Sequence, residues 1–383
     1  MISSTLPLAA LIAVVTALAF WLDRHVSFFS KIGASILTLA FGAILSNTGI
    51  VPGKSPVYDT ISGPVTSLAI AWLLLSVDLR ALKQVGPRML AAFGLACVGT
   101  ILGAFLGALA FSHELGVNTW KMAGVFTGTY TGGSLNFVAV GKGVGLPDSV
   151  WAGTTAADAL TGGIWMAANL ILPLWLVRFY PPVPKEALEL GEGEADNGGK
   201  SHPFFDPAAV SALDLGVLLA VGLSLLVAAD LTARLVPQVP SVLWLTTYAL
   251  IVGHTPLFRK AEGALQLGTL LLHLFFVVIG IWSQVGQIIA VGVVVFYYTA
   301  TVIGSHGLVL YGVGRLLGLD LGTLSVASQA AVGGPSTALA VAVGRDWPGL
   351  VLPGIIVGLV GYAVGNYLGF GVAYLVHGFG IGL

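Results

Sequence analysis

The sequence predicts an all-α polytopic membrane protein built from two inverted repeats. Each repeat has about five transmembrane helices plus one re-entrant or broken helix with a Gly-Gly tip. Three observations lead there. The 383 residues are 56% hydrophobic and 9% charged, with mean hydropathy +0.95, where a soluble domain carries roughly a quarter charged residues. Apolar runs of span length follow one another with short polar connectors. A double glycine recurs inside two of these runs, at Gly132-Gly133 and Gly333-Gly334, where a helix break leaves backbone N–H and C=O groups needing partners inside the membrane.

Taken in order, candidate spans lie at 5–22, 32–50, 61–79, 88–111, 119–144 and 149–177, and these form the first repeat, 1–177. The N-terminal run lacks the basic leader and small-residue cleavage site of a signal peptide and reads as a retained first span. A polar linker, 178–208, follows with Pro181-Pro182, Glu186, Glu189, Glu192, Glu194 and Asp196, a solvated connector. Six further spans, 209–229, 239–257, 263–283, 288–316, 320–344 and 349–376, make the second repeat, 209–383.

Sliding the chain on itself supports the duplication. At an offset of 201, Val125/Val326, Gly132/Gly333, Gly133/Gly334, Ala139/Ala340, Val140/Val341, Gly143/Gly344, Pro147/Pro348, Val150/Val351 and Gly153/Gly354 coincide. Chance would give roughly three such identities in a window of that composition. Gln84-Val85-Gly86 recurs as Gln284-Val285-Gly286 at nearly the same offset.

Charge decides between parallel and inverted copies. If all twelve segments cross, the basic residues divide evenly, against the positive-inside rule. If each double-glycine segment enters and leaves by one face, each half crosses five times and the copies are inverted. With both termini outside, the cytoplasm then receives Arg24, Lys31, Arg80, Lys83, Arg88, Arg178, Lys185, Lys200, Arg259, Lys260, Arg315 and Arg345, leaving Lys54, Lys121, Lys142 and Arg234 opposite. A discontinuous helix that does cross, with another segment restoring the count, stays open.

A near-neutral net charge of −1 excludes a basic nucleic-acid-binding surface. The single cysteine, Cys97, excludes an intrachain disulfide and a thiolate metal site, and reads as a small buried hydrophobe. No phosphate-binding glycine loop, HExxH or Gly-x-Ser-x-Gly elbow is present, so the sequence predicts no enzyme.

A broken helix brings a partly positive N-terminus and a partly negative C-terminus together, and can hold an anion and a cation side by side. Around the first break Thr129, Thr131, Gly132, Gly133, Ser134 and Asn136 supply hydroxyl and amide oxygens. Around the second, Ser328, Gln329, Gly333, Gly334, Ser336 and Thr337 repeat the provision. Small and hydroxyl residues also let membrane helices pack closely, but two aligned copies, each with polar residues after Gly-Gly, favour a substrate and ion site.

Asp158 is the one carboxylate well inside a span, roughly 13 Å from its start, where charge is costly and points to function. Thr154, Asp158, Thr161, Gly162, Trp165 and Asn169 share its helix face. The second half offers Asn366 as a ligand and a packing stripe of Gly354, Gly358, Gly361, Gly365 and Gly369. Asn136, Asp158 and Thr337 are the candidate Na+ ligands, and no other cofactor is called for. The histidines, His254, His273, His306 and His377, are too scattered for a metal site and read as structural.

The strings from Gly128 to Ala139 and from Ser328 to Ala338, with the Arg80 to Met89 segment, resemble the YjcL-like family of membrane proteins, the domain-of-unknown-function family 819. The resemblance runs over nearly the whole chain. It implies membership of the cation:proton antiporter and anion transporter superfamily, with a core of two crossing broken elements moving by elevator against a dimerising scaffold. Antiporters of that superfamily carry paired acidic or Asn-Asp residues, whereas Asp158 stands between Ala157 and Ala159, which argues against pure cation/proton antiport.

The expected function is secondary active transport of a small organic anion, a carboxylate, amino acid or peptide-like molecule, coupled to Na+ or H+ by alternating access. The two tips and Asp158 would form one composite site. A cation/proton antiporter is the alternative, and a channel or non-transporting scaffold a further one. The expected setting is a homodimer in the bilayer of a bacterial cytoplasmic membrane, with a small-molecule substrate and no nucleic acid.

Overall fold

The computed structural model describes residues 4–30, 33–188, 209–255, 258, 262–282 and 285–382. The acidic stretch 189–208 of the linker lies outside the described residues, as do Lys31, Arg259, Lys260 and Gln284. Among the described residues the chain is helical, with no strand, and eight helical stretches are long and apolar enough to cross a membrane.

The first half holds α1 (Thr5–His25), α2 (Ala34–Asn47), α3 (Pro56–Leu75), α4 (Pro87–Leu115), α5 (Thr119–Gly132), α6 (Ser134–Gly143) and α7 (Asp148–Leu176). The second holds α8 (Ala212–Leu235), α9 (Ser241–Gly253), α10 (Ala264–Trp282), α11 (Val285–Leu316), α12 (Leu321–Gly333), α13 (Pro335–Gly344) and α14 (Val351–Gly378). In both halves a full span, a short helix, a second span and a long helix precede a broken pair and a final long helix. This order matches the segments expected from hydropathy, including the breaks at the double glycines.

Local chemistry sets several boundaries. Pro87 opens α4, where its missing N–H costs nothing. Ser211 and Asp214 close a reciprocal capping box at the start of α8, with Asp214 N–H donating to Ser211 Oγ at 3.2 Å and Ser211 N–H to Asp214 Oδ2 at 2.8 Å. Asp320 is buried at the start of α12, where it accepts from Thr323 N–H at 2.9 Å and Thr323 Oγ1 at 2.8 Å. The helix N-terminus offsets its charge. In α3, Pro64 cannot donate to the helical ladder, and the turn Ile61–Val65 widens to a π-helix there.

The chain divides into two compact units, and neither coincides with a sequence repeat. One comprises Met1–Ser76, Leu146–Ala159 and Val210–Phe296, the other Val77–Gly145, Leu160–Ala209 and Tyr297–Leu383. Each unit therefore draws helices from both halves.

In the first unit, glycine lets backbones touch. A Cβ added to Gly280 would lie 2.9 Å from the Leu39 carbonyl carbon and 3.0 Å from Ala43 N, so α2 and α10 meet without side chains between them. The Trp72 indole donates to the Leu218 carbonyl at 2.8 Å, tying α3 to α8 over Gly222.

The second unit uses the same device between α4 and α11. Cβ atoms on Gly99 and Gly103 would stand 2.8 Å from His306 Cα and 2.7 Å from Val302 Cα, and one on Gly107 would stand 3.1 Å from the Tyr298 ring. Cys97 is buried in this unit's core with Phe93, Leu324, Val326, Val341 and Val357.

Candidate functional site

α5 ends at Gly132 and α6 begins at Ser134, with Gly133 between them at φ 84°, ψ −170°. The second break repeats that conformation, with Gly334 at φ 82°, ψ −165° between α12 and α13. This backbone region is open to glycine and costly for every residue with a Cβ. The two breaks thus share one backbone conformation.

Each broken pair folds back as a helical hairpin. A Cβ on Gly128 would lie 2.9 Å from Val140 Cγ2 and 3.3 Å from the Asn136 carbonyl oxygen. An unbroken helix would separate residues 128 and 140 by roughly 18 Å. In the second pair the Thr337 hydroxyl reaches across the turn to donate to the Gln329 carbonyl at 3.0 Å.

The two hairpin tips touch backbone to backbone. A Cβ on Gly133 would lie 3.2 Å from the Gly333 carbonyl carbon and 3.3 Å from Gly334 N. α14 passes both tips with its glycine stripe. Cβ atoms on Gly358 and Gly361 would meet Pro335 N and the Thr131 carbonyl oxygen, each at 2.7 Å, and one on Gly365 would meet the Gly128 carbonyl oxygen at 3.1 Å. The stripe is a packing surface, as its spacing predicts.

Asn136 is the polar centre of this crossing and is fully buried. Its amide donates to the Tyr362 carbonyl at 3.0 Å and to Asn366 Oδ1 at 2.9 Å, which uses both of its N–H groups. Its Oδ1 sits against Gly132 and has no hydrogen-bond donor. An unpartnered buried carbonyl costs about 1–3 kcal/mol unless something ligates it. The C-termini of α5 and α12 and the N-termini of α6 and α13 also end here, so charge of either sign finds a complementary dipole end.

The predicted residues separate into groups. Gly132, Gly133, Asn136, Gly333, Gly334 and Asn366 come together at the crossing. Ser134 and Thr337 are half-buried beside the breaks and Ser336 is exposed. Thr131 turns its hydroxyl back to the Thr127 carbonyl at 2.7 Å, and the Thr129 carbonyl accepts from Gly133 N–H at 2.6 Å. Asp158 is half-buried on the first turns of α7, which belong to the other compact unit. Among the described residues no three His, Cys, Asp or Glu side chains converge, which leaves neutral oxygens as the available ion ligands at the tips.

Ser328 and Gln329 enter a second constellation that the sequence did not reveal. The Thr100 hydroxyl donates to the Tyr130 carbonyl at 3.1 Å and contacts His306 Nδ1 at 3.0 Å. With its one proton so placed, Thr100 accepts from Nδ1–H, and His306 Nε2 accepts from the Ser328 hydroxyl at 2.9 Å. Ser328 Oγ in turn accepts from the Trp165 indole at 2.9 Å. Asn169 donates to Gln329 Oε1 at 2.9 Å and accepts from the Tyr311 hydroxyl at 2.7 Å. This buried chain runs from the carbonyl two residues before Gly132 to the residues just before Gly333, and so fastens one hairpin to the other. Trp165 and Asn169 belong to the polar face read from α7, but His306, the link between hairpins, gives no spacing signal.

The family model described as "Protein of unknown function (DUF819)" matches residues 10–379. The chain is also 30% identical over 374 residues to the "Uncharacterized membrane protein YjcL" of Bacillus subtilis (strain 168), covering 94% of this chain and 93% of that protein. This protein, a polytopic membrane protein with touching glycine hairpins, belongs to the DUF819 family.

Proposed function

We propose that the protein is a secondary active transporter that moves a small organic anion by alternating access, coupled to Na+. One observation carries the reading: Asn136 Oδ1 is buried without a donor where two glycine hairpins meet. An amide oxygen ligates a hard cation and does not titrate, which favours Na+ over H+ at this point. The free N-termini of α6 and α13 suit a substrate carboxylate. Ser134, Ser336 and Thr337, at the first turns of those helices, are the side chains that would select it.

The repeated helix order, the matching breaks and the basic-residue distribution support inverted repeats. In the elevator form of this reading the unit holding the hairpins carries the substrate, and the assembly is a homodimer. Asp158, an intramembrane carboxylate, belongs to the other compact unit and is left out of this hairpin site.

Thermal unfolding of the purified protein against a panel of carboxylates, amino acids and short peptides, with and without Na+, tests this. A ligand at a hundredfold its dissociation constant adds about 2.7 kcal/mol. Coupled symport predicts a ligand whose effect grows with Na+. If neither Na+ nor pH alters any ligand's effect, the coupling is wrong. Saturable uptake into vesicles separates a carrier from a channel.

A further inference from the structure

At the C-terminal end of α11, the residues Leu308, Val309, Gly312, Val313, Arg315 and Leu316 line a shallow furrow of about 600 Å³. Leu308 and Leu316 are 78% and 84% exposed, and a Cβ on Gly312 would meet nothing within 4 Å. The missing side chain at Gly312 makes a trough between two leucine ridges, one helical turn to either side.

Beside the trough stands a cation cluster. The Arg315 guanidinium lies 5.3 Å from the centre of the Phe179 ring, and the Arg178 guanidinium lies 4.7 Å from the same centre. The Tyr180 hydroxyl donates to the Tyr311 carbonyl at 2.8 Å and fixes this segment to α11. Burial raises the Tyr180 phenol's pKa, and the neighbouring Arg315 charge pulls the other way. Neither arginine has an acidic partner among the described residues.

Two like charges held on one ring repel each other, and no carboxylate among the described residues pairs with either. An exposed apolar trough ending in two arginines is complementary to a molecule with an anionic head and an apolar tail. The charge distribution of the sequence puts Arg178, Lys185 and Arg315 on the cytoplasmic face, where the leaflet carries anionic lipid.

We infer that this surface binds one anionic glycerophospholipid, its phosphate between Arg178 and Arg315 and an acyl chain in the trough over Gly312. The head is held by charge, and the tail gives orientation. A zwitterionic lipid of the same chains lacks the net charge that the two arginines need.

Native mass spectrometry of the full chain in neutral detergent, titrated with phosphatidylglycerol or phosphatidylcholine of identical chains, tests this. Phosphatidylglycerol is expected to be retained preferentially. Arg315→Gln and Arg178→Gln should each weaken it about fivefold, from about 1 kcal/mol per basic residue at an anionic surface. Arg315→Lys should keep most of the affinity. Gly312→Leu, which leaves both charges in place, should weaken long-chain phosphatidylglycerol and leave binding of inorganic phosphate unchanged. Equal retention of the two lipids, or glutamine variants that bind phosphatidylglycerol as wild type does, would overturn the proposal. So would an unaltered lipid affinity in Gly312→Leu, since the arginines would then hold phosphate alone.

Discussion

Asn136 donates a 2.9 Å hydrogen bond to Asn366 across 230 residues of sequence, and its own Oδ1 is left facing Gly132 without a donor. That pair joins the first hairpin to α14, beside the contact between Gly133 and the second hairpin. Every expected outcome below follows from this crossing or from the chain of side chains that braces it.

Gly133→Ala should destabilise the protein by about 1–3 kcal/mol, because φ 84° with an extended ψ excludes a side chain and a methyl would press on the Gly333 carbonyl carbon. Gly334→Ala should behave alike. Gly162→Ala is the control, since it sits in a helix with nothing within 4 Å of its Cβ and should be neutral or stabilising. Denaturant or thermal unfolding in detergent reads all three.

Gly361→Ala drives a methyl into the Thr131 carbonyl oxygen at 2.7 Å. Overpacking of about 1–3 kcal/mol is expected. Because the strain falls at the first break, transport should fall by more than the lost stability explains. Uptake per folded molecule, measured against Gly371→Ala, where a Cβ meets nothing, separates the two effects.

His306→Ala removes the link between Thr100 and Ser328 and leaves two buried hydroxyls short of a partner. A loss of about 1–3 kcal/mol is expected. A double-mutant cycle of His306→Ala with Ser328→Ala should show coupling of about 0.5–3 kcal/mol. Additive losses would mean that the hairpins are not braced through this histidine.

Much of this architecture was legible in the sequence, and the limits have physical causes. Span positions and both breaks could be read because a bilayer demands long apolar runs and because few residues besides glycine interrupt them. The two tips were expected to share one site, but the hydrogen bond between Asn136 and Asn366 was not read from the sequence, because the pair lies 230 residues apart. The assignment of helices to two interleaved units was not legible, since lipid-facing and protein-facing leucines look alike in composition. Ser328 and Gln329 had the right residue types for a ligand site, and the bonds of their side chains to Trp165, His306 and Asn169 were not legible in the sequence. His306 was read only as structural, because its partners Thr100 and Ser328, 206 and 22 residues away, stand at no recognisable spacing from it. The Gly99, Gly103 and Gly107 spacing was a signal available in the sequence for the packing of α4 on α11.

The most direct test of the central claim is a Na+ titration of thermal unfolding at fixed ionic strength, with choline as the replacing cation, on wild type and Asn136→Ala. A cation held by Asn136 Oδ1 predicts a saturable rise in the wild-type midpoint and a flat response in Asn136→Ala. A Na+ response of equal size in both proteins, or none in the wild type, would contradict an ion site at the meeting point of the two hairpins.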